Sequence, residues 1–272
     1  MRIAVVAPSS RFSPAAAERV AAIAARDFPG LDIRFHPQCF LTHNHFAGTD
    51  AARTDALVEV ANDPEVDAIW FARGGYGACR VAEAALARLG PVARDKAWLG
   101  YSDAGFLFGG LYRAGFANVA HGPMPQDVLR DDGEAAVSRA LAWLARRDPA
   151  SLEAGLTAGE RHAAFNIAVL RALLGTPLEP DLAGHVLLLE EVSEYMYAID
   201  RALFQLAATP AIGAVAGVRL GRFDDVKPND PDFGEDAETI VRRWCTRAGV
   251  PYLGRADIGH DSANKVVPFG LL

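Results

Sequence analysis

The chain has 272 residues, 51% hydrophobic and 22% charged, the balance of a folded globular protein with one large or two modest domains. A formal net charge of −7 with no Lys/Arg block argues against nucleic-acid or anionic-membrane partners, which need concentrated positive charge. Cys39, Cys79 and Cys245 are odd in number, widely spaced and form no CxxC. That usage suits a reducing compartment better than a disulfide framework, so a cytoplasmic location is expected.

In chain order, Ile3–Ala7 is a continuous apolar run, the form of a strand buried on both faces. It is too short for a signal segment and stops at Pro8. No later segment is apolar for long enough to span a membrane. Ser13 and Pro14 predict the start of an Ala-rich helix, which Pro29-Gly30 ends. Residues 31–35 alternate as a second strand, and Thr49 or Asp50 predicts the cap of a helix reaching about Asn62. Asp67–Ala72 and Ala97–Tyr101 read as a third and fourth strand, with a helix carrying Val81, Leu86 and Leu89 between them. Alternating strands and helices imply a doubly wound parallel sheet, with its chemistry at the carboxyl ends of the strands.

The pattern changes near residue 147. We expect an N-terminal α/β domain over 1–147, a linker over 148–163 and a C-terminal domain over 164–272. In the second half, a helix is predicted near 166–174, strands at 186–189 and 212–218, a polar loop over 224–236 and a helix over 237–248.

Two candidate features fall at strand ends. Ser102, in Gly100-Tyr101-Ser102-Asp103, either caps a helix or is lifted above the sheet as a nucleophile backed by helical N–H groups. Serine is common at such junctions, so local sequence alone favours the cap. Arg73-Gly74-Gly75-Tyr76-Gly77 lets backbone N–H groups approach a ligand closely. Phosphate binding, oxyanion stabilisation and a plain tight turn weigh about equally there. It is neither a P-loop nor a dinucleotide fingerprint.

Four further segments need a reading. Glu190 and Glu191 end an apolar strand, where a carboxylate orients a histidine or simply meets solvent. His260, on a Gly-containing tail, is a general base or an ordinary loop residue. His43-Asn44-His45 lacks further ligands, so no metal is expected. His121-Gly122-Pro123-Met124 reads as a turn whose Gly-Pro can shape a pocket floor.

The order of these signals carries more than any one of them. Val6-Ala7-Pro8-Ser9-Ser10, Phe46-Ala47-Gly48-Thr49-Asp50 with Arg53, the RGGYG loop, GYSD, HGPM, Asn166, Leu189-Glu190-Glu191 with Tyr197, Ile199 and Asp200, and Gly259-His260 with Asn264 run in register from end to end. In this the chain resembles the serine LD-carboxypeptidase family, which includes the microcin-C immunity peptidases.

The resemblance implies a fold and a site. The fold is a flavodoxin- or amidotransferase-like doubly wound parallel sheet plus a smaller, strand-rich C-terminal α/β domain. The site is a triad of Ser102, Glu190 and His260, with Glu191 as fallback because the family's Leu-Glu-Asp is Leu-Glu-Glu here. The backbone amides of Gly75 and Asp103 would form the oxyanion hole. Separately from the resemblance, Arg73 and Tyr76 are candidate substrate contacts because they lie in the oxyanion loop, where Arg73 could grip a free carboxylate bidentately. Where the family has Gly-Gly-Asn this chain has Ala164-Phe165-Asn166, which would matter if Phe165 lined the pocket.

The implied activity is removal of a terminal D-amino acid from a murein tetrapeptide during peptidoglycan recycling, without cofactor or metal, by a homodimer. Cleavage of acyl- or peptidyl-nucleotides, as in microcin-C immunity, is the alternative within the family. A non-catalytic ligand-binding module and a phosphate binder are the alternatives outside it.

Overall fold

A computed structural model describes residues 1–272. The N-terminal domain contains β1 (Arg2–Val6), α1 (Pro14–Asp27), β2 (Asp32–Phe35), α2 (Asp50–Asn62), β3 (Ala68–Phe71), α3 (Ala78–Leu86), β4 (Ala97–Gly100), α4 (Gly105–Arg113), β5 (Val119–His121) and α5 (Gly133–Arg146). The C-terminal domain contains β6 (Arg161–Asn166), α6 (Ile167–Leu173), β7 (His185–Val192), α7 (Met196–Ala207), the single turn α8 (Pro210–Gly213), β8 (Gly217–Asp224), α9 (Ala237–Ala248) and β9 (Tyr252–Arg255). Two short strands, β10 (Val267–Pro268) and β11 (Gly270–Leu271), close the chain. No helix is long and apolar enough to cross a membrane.

The first sheet has the order β10-β5-β4-β3-β1-β2, parallel except for β10. Helices cover both faces, and β1 shows how the sequence arranges this. Successive side chains of a strand point to opposite faces. Ile3 and Val5 therefore enter the core beneath α1 and α5, while Ala4 and Val6 enter the core beneath α2, α3 and α4. Burial on both faces is why β1, β3 and β4 read as unbroken apolar runs.

The second sheet has the order β11-β6-β7-β8-β9, parallel except for β11. The tail thus gives one strand to each sheet. Between the two strands Phe269 is 3% exposed, with its ring against Phe108, Tyr112 and Phe165. Phe165 sits in this shared core beside Gly105 of α4 and not in the active-site cavity.

Several local expectations change. Ser13 occupies the cap position of α1, but its hydroxyl makes no bond to the helix. Thr49 does cap α2, accepting from Ala52 N at 3.2 Å. The strand expected over 212–218 is displaced. Pro210 starts a helical turn there, and the strand runs over Gly217–Asp224. Its arginines disguise it: Arg219 pairs with the buried Glu153, and Arg222 with the partly exposed Asp257 and Asp261, so charged residues occupy sheet positions with carboxylate partners. Strands β6, β9, β10 and β11 lie where no strand was expected; β10 and β11 have only two residues each, and β6 and β9 carry the charged residues Arg161 and Arg255.

Candidate active site

Ser102 follows β4 at a sharp corner. Tyr101 is extended, Ser102 has a φ of 59°, and residues 102–104 make one tight turn into α4. A non-glycine residue in this left-handed region costs about 1–3 kcal/mol and persists only where its surroundings hold it. Close packing below supplies the hold, since a Cβ added at Gly100 would already lie 3.2 Å from Phe71. Ser102 is therefore not a helix cap. The corner presents its hydroxyl at the carboxyl end of the sheet.

The Ser102 hydroxyl lies 2.9 Å from His260 Nε2, and His260 Nδ1 lies 2.6 Å from Glu190 Oε2. The network assigns the tautomer: Nδ1–H donates to the carboxylate, leaving Nε2 to accept from the serine O–H. His260 is 8% exposed and Glu190 fully buried. Burial pulls the imidazole pKa down, but the Glu190 charge and hydrogen bond outweigh it and hold the group above its ordinary value. The His260 backbone N–H donates to Asp224 Oδ2 at 2.5 Å, and the ring lies 4.8 Å from that of Tyr101.

Strand alternation puts the two glutamates on opposite faces of β7, and the fold brings His260 to the Glu190 face. Val186 and Leu188 face the small core that includes Ile258, and Glu190 continues that face. Leu187 and Leu189 face the helices, and Glu191 continues that one. Glu191 accepts from Asn166 Nδ2 at 2.5 Å, Ala168 N at 2.9 Å and Val192 N at 2.9 Å. Burial, with a further push from Glu190, raises its pKa to about 7 despite the Val192 N–H bond.

The glycine loop packs directly on the serine. A Cβ at Gly74 would lie 2.8 Å from Ser102 Oγ, so only glycine leaves the hydroxyl room. Gly75 has a φ of 110°, a conformation natural to glycine. Neither the Gly75 N–H nor the Asp103 N–H donates to an acceptor within the protein, and Gly75 lines the cavity over Ser102 while Asp103 follows Ser102 in the chain.

The Asp103 side chain braces the same region. Its buried carboxylate accepts from Ser9 Oγ at 2.5 Å and from Ala78 N at 2.8 Å, tying the end of β1 and the start of α3 to the serine corner. Burial raises its pKa. Arg53, also fully buried, ties Gly77 O (2.9 Å) to Pro8 O and to Asp50 Oδ1 (2.5 Å).

A cavity of about 250 Å³ opens over the serine. Gly74, Gly75, Ser102 and His260 line it together with Arg73 and Met124, the last from the HGPM turn. Tyr76 lies outside this lining, half exposed, with its ring near Phe46 and His45. Among the lining residues not anticipated from sequence are Gln126, Asp127 and Arg130. They follow Pro125 in a short turn with no motif of its own, and proximity to Arg73 is visible only in the fold. Asp224 was likewise hidden in what read as a solvated acidic loop.

A hydroxyl, an imidazole and a buried carboxylate in this chain of hydrogen bonds can generate an alkoxide-like nucleophile, and two free amides beside it can receive an oxyanion.

Comparison with known proteins agrees with this chemistry. Residues 3–122 match the LD-carboxypeptidase N-terminal domain family, and residues 162–272 match the LD-carboxypeptidase C-terminal domain family. A probable murein peptide carboxypeptidase of Bacillus subtilis is 29% identical over 287 residues, covering 98% of this chain and 86% of the relative. A murein tetrapeptide carboxypeptidase of Pseudomonas aeruginosa is 26% identical over 289 residues, covering 99% and 91%. The crystal structure of muramoyltetrapeptide carboxypeptidase from Oxalobacter formigenes shares the fold, with a TM-score of 0.82 at 22% identity over 99% of this chain and 93% of that one. The chain belongs to the LD-carboxypeptidase family and is a serine-type carboxypeptidase.

Proposed function

We propose that this enzyme removes the terminal D-amino acid from murein tetrapeptides, cutting the bond that joins it to the preceding L-centre, with Ser102 as nucleophile, His260 as base and Glu190 as the carboxylate orienting it. The observation that carries the reading is the continuous Ser102–His260–Glu190 hydrogen-bond chain, with Ser102 and His260 lining one cavity together with the glycine loop. His260 Nε2 takes the serine proton as Oγ attacks the scissile carbonyl. The Gly75 and Asp103 amides stabilise the oxyanion, each worth about 3–4 kcal/mol in comparable sites. The imidazolium then protonates the departing amine, the D-amino acid leaves, and water attacks the acyl-enzyme by the same proton route.

The names of the sequence relatives support a murein peptide as substrate. Three unpaired cysteines support a reducing, cytoplasmic setting, where recycled murein peptides would be met. The family resemblance carries the expectation of a homodimer, which gel filtration checks. The acyl-nucleotide alternative needs an aromatic face for a base. Besides His260, the one aromatic ring lining the cavity is Tyr101, which is 1% exposed and hydrogen-bonded to Asp127.

The test is release of D-alanine from L-Ala-D-Glu-meso-diaminopimelate-D-Ala by wild type and by Ser102→Ala. Release by wild type, with a loss of at least about 10³-fold in the variant, is the expected result. No release by folded wild type sinks the reading.

A further inference from the structure

The cavity over Ser102 holds more positive charge than the protein itself balances. Apart from His260, its charged lining residues are Arg73, Arg130 and Asp127. Asp127 is nearly buried and already engaged: it accepts from Tyr101 OH at 2.9 Å, Met124 N at 2.8 Å and Arg130 Nε at 3.1 Å. One carboxylate therefore faces two guanidinium groups.

Arg73 is the one left without a counter-ion. It forms no ion pair, and its one hydrogen bond runs from Nη1 to Arg11 O at 3.2 Å. Its Nε is buried with no partner. Burial lowers its pKa, which marks a desolvated cation lacking a carboxylate in contact. Arg130 uses Nε on Asp127, with a side chain 41% exposed. Arg73 is half-buried with its Nε shut off from water and unpartnered, an arrangement that costs free energy, while Arg130 is the more exposed of the two. Both sit in one cavity with the proposed nucleophile, so an anionic group of the substrate is the natural complement.

We propose that Arg73 and Arg130 form a clamp for the free terminal carboxylate of the substrate and thereby confine cleavage to the last peptide bond. The inference rests on the proposed function above and deepens it. A scissile carbonyl at Ser102 puts the terminal carboxylate one residue away, a reach of about 3.5 Å along the chain. A planar guanidinium matches a carboxylate with two parallel N–H···O bonds, and the second arginine fixes its side. An internal residue at the same place would offer a neutral amide, leaving the Arg73 charge uncompensated and the chain's continuation facing the clamp. Asp127, by holding Arg130 Nε, orients that side chain and keeps two like charges from opposing each other alone.

The experiment compares kcat/KM for the tetrapeptide ending in free D-Ala with that for its terminal D-alaninamide, in wild type, Arg73→Ala, Arg130→Ala and Arg130→Lys. Wild type is expected to prefer the acid by about 10²-fold or more, since a site built to pair a charged group rejects the analogue lacking it. Each alanine variant should lose about 10- to 100-fold on the acid, mainly through KM, with a far smaller loss on the amide, so the preference collapses. Arg130→Lys, which keeps the charge on a residue that can still face Asp127, should retain an intermediate preference and guards against misfolding of the alanine variant.

Equal rates on acid and amide in wild type overturn the clamp while leaving the proposed function intact. So does a preference that persists unchanged in both alanine variants. Peptides amidated instead on the D-Glu or diaminopimelate carboxyl separate the source of the anion: sensitivity confined to those positions also overturns the terminal assignment. If neither acid nor amide releases D-alanine or D-alaninamide, the proposed function fails and the clamp with it.

Discussion

Glu190 and Glu191 are chain neighbours with opposite partners. Glu190 Oε2 lies 2.6 Å from His260 Nδ1, whereas Glu191 turns to the other side of β7 and receives Asn166 Nδ2 and the Ala168 and Val192 amides. Both are buried, so the two environments separate them and not exposure.

The first prediction uses that difference. His260 is held above its ordinary value because Glu190 outweighs burial. As a base it must be neutral, so the acid limb of kcat/KM for wild type is expected to lie above the ordinary histidine value near 6.5. In Glu190→Gln the main influence opposing burial is gone, so the limb should move to lower pH while kcat falls by about 10²- to 10⁴-fold. Glu191→Gln, measured beside it, should not reproduce that drop. A wild-type limb that stays in place in Glu190→Gln would remove Glu190 from its proposed role.

Gly74 offers a test of packing against the nucleophile. An alanine methyl would sit 2.8 Å from Ser102 Oγ and 2.9 Å from its Cβ, forcing the serine to move. Displacing a reacting atom by about 1 Å costs on the order of a hundredfold. Gly74→Ala is therefore expected to lose about that much in kcat, with a melting temperature within a few degrees of wild type. Unaltered kcat would show that the loop and the serine are not in the contact described here.

Phe269 is the clasp between the two sheets. Its ring fills a pocket formed by Phe108, Tyr112 and Phe165, and the flanking residues pair with β5 and β6. Truncating a buried phenylalanine costs about 3–5 kcal/mol. At about 2–4 °C per kcal/mol for a chain of this size, Phe269→Ala should melt about 10 °C lower. Calorimetry checks it, and an unchanged transition would mean that the tail does not hold the domains together.

Much of the N-terminal domain was legible in the sequence. Runs such as Ile3–Ala7 and Ala97–Tyr101 are buried on both faces, so composition alone marks them as strands, and Thr49 names its own helix start. The C-terminal sheet was harder. Strand β8 carries Arg219 and Arg222, and its hydrophobic signal is interrupted because Glu153, Asp257 and Asp261 arrive from distant segments to neutralise them.

By itself the sequence determined the fold class, the place of Ser102 at a strand end and the candidacy of Glu190, Glu191 and His260, since each of these follows from local pattern or ordered motifs. Only the tertiary structure decided that Ser102 is a corner and not a cap, that Glu190 and not Glu191 meets His260, that Tyr76 stands outside the cavity and that Arg130 and Asp127 stand inside it. The reason is physical: a hydrogen bond across 70 or 158 residues, or a charge left without a counter-ion, is a property of distances between distant segments, and local sequence does not encode such distances.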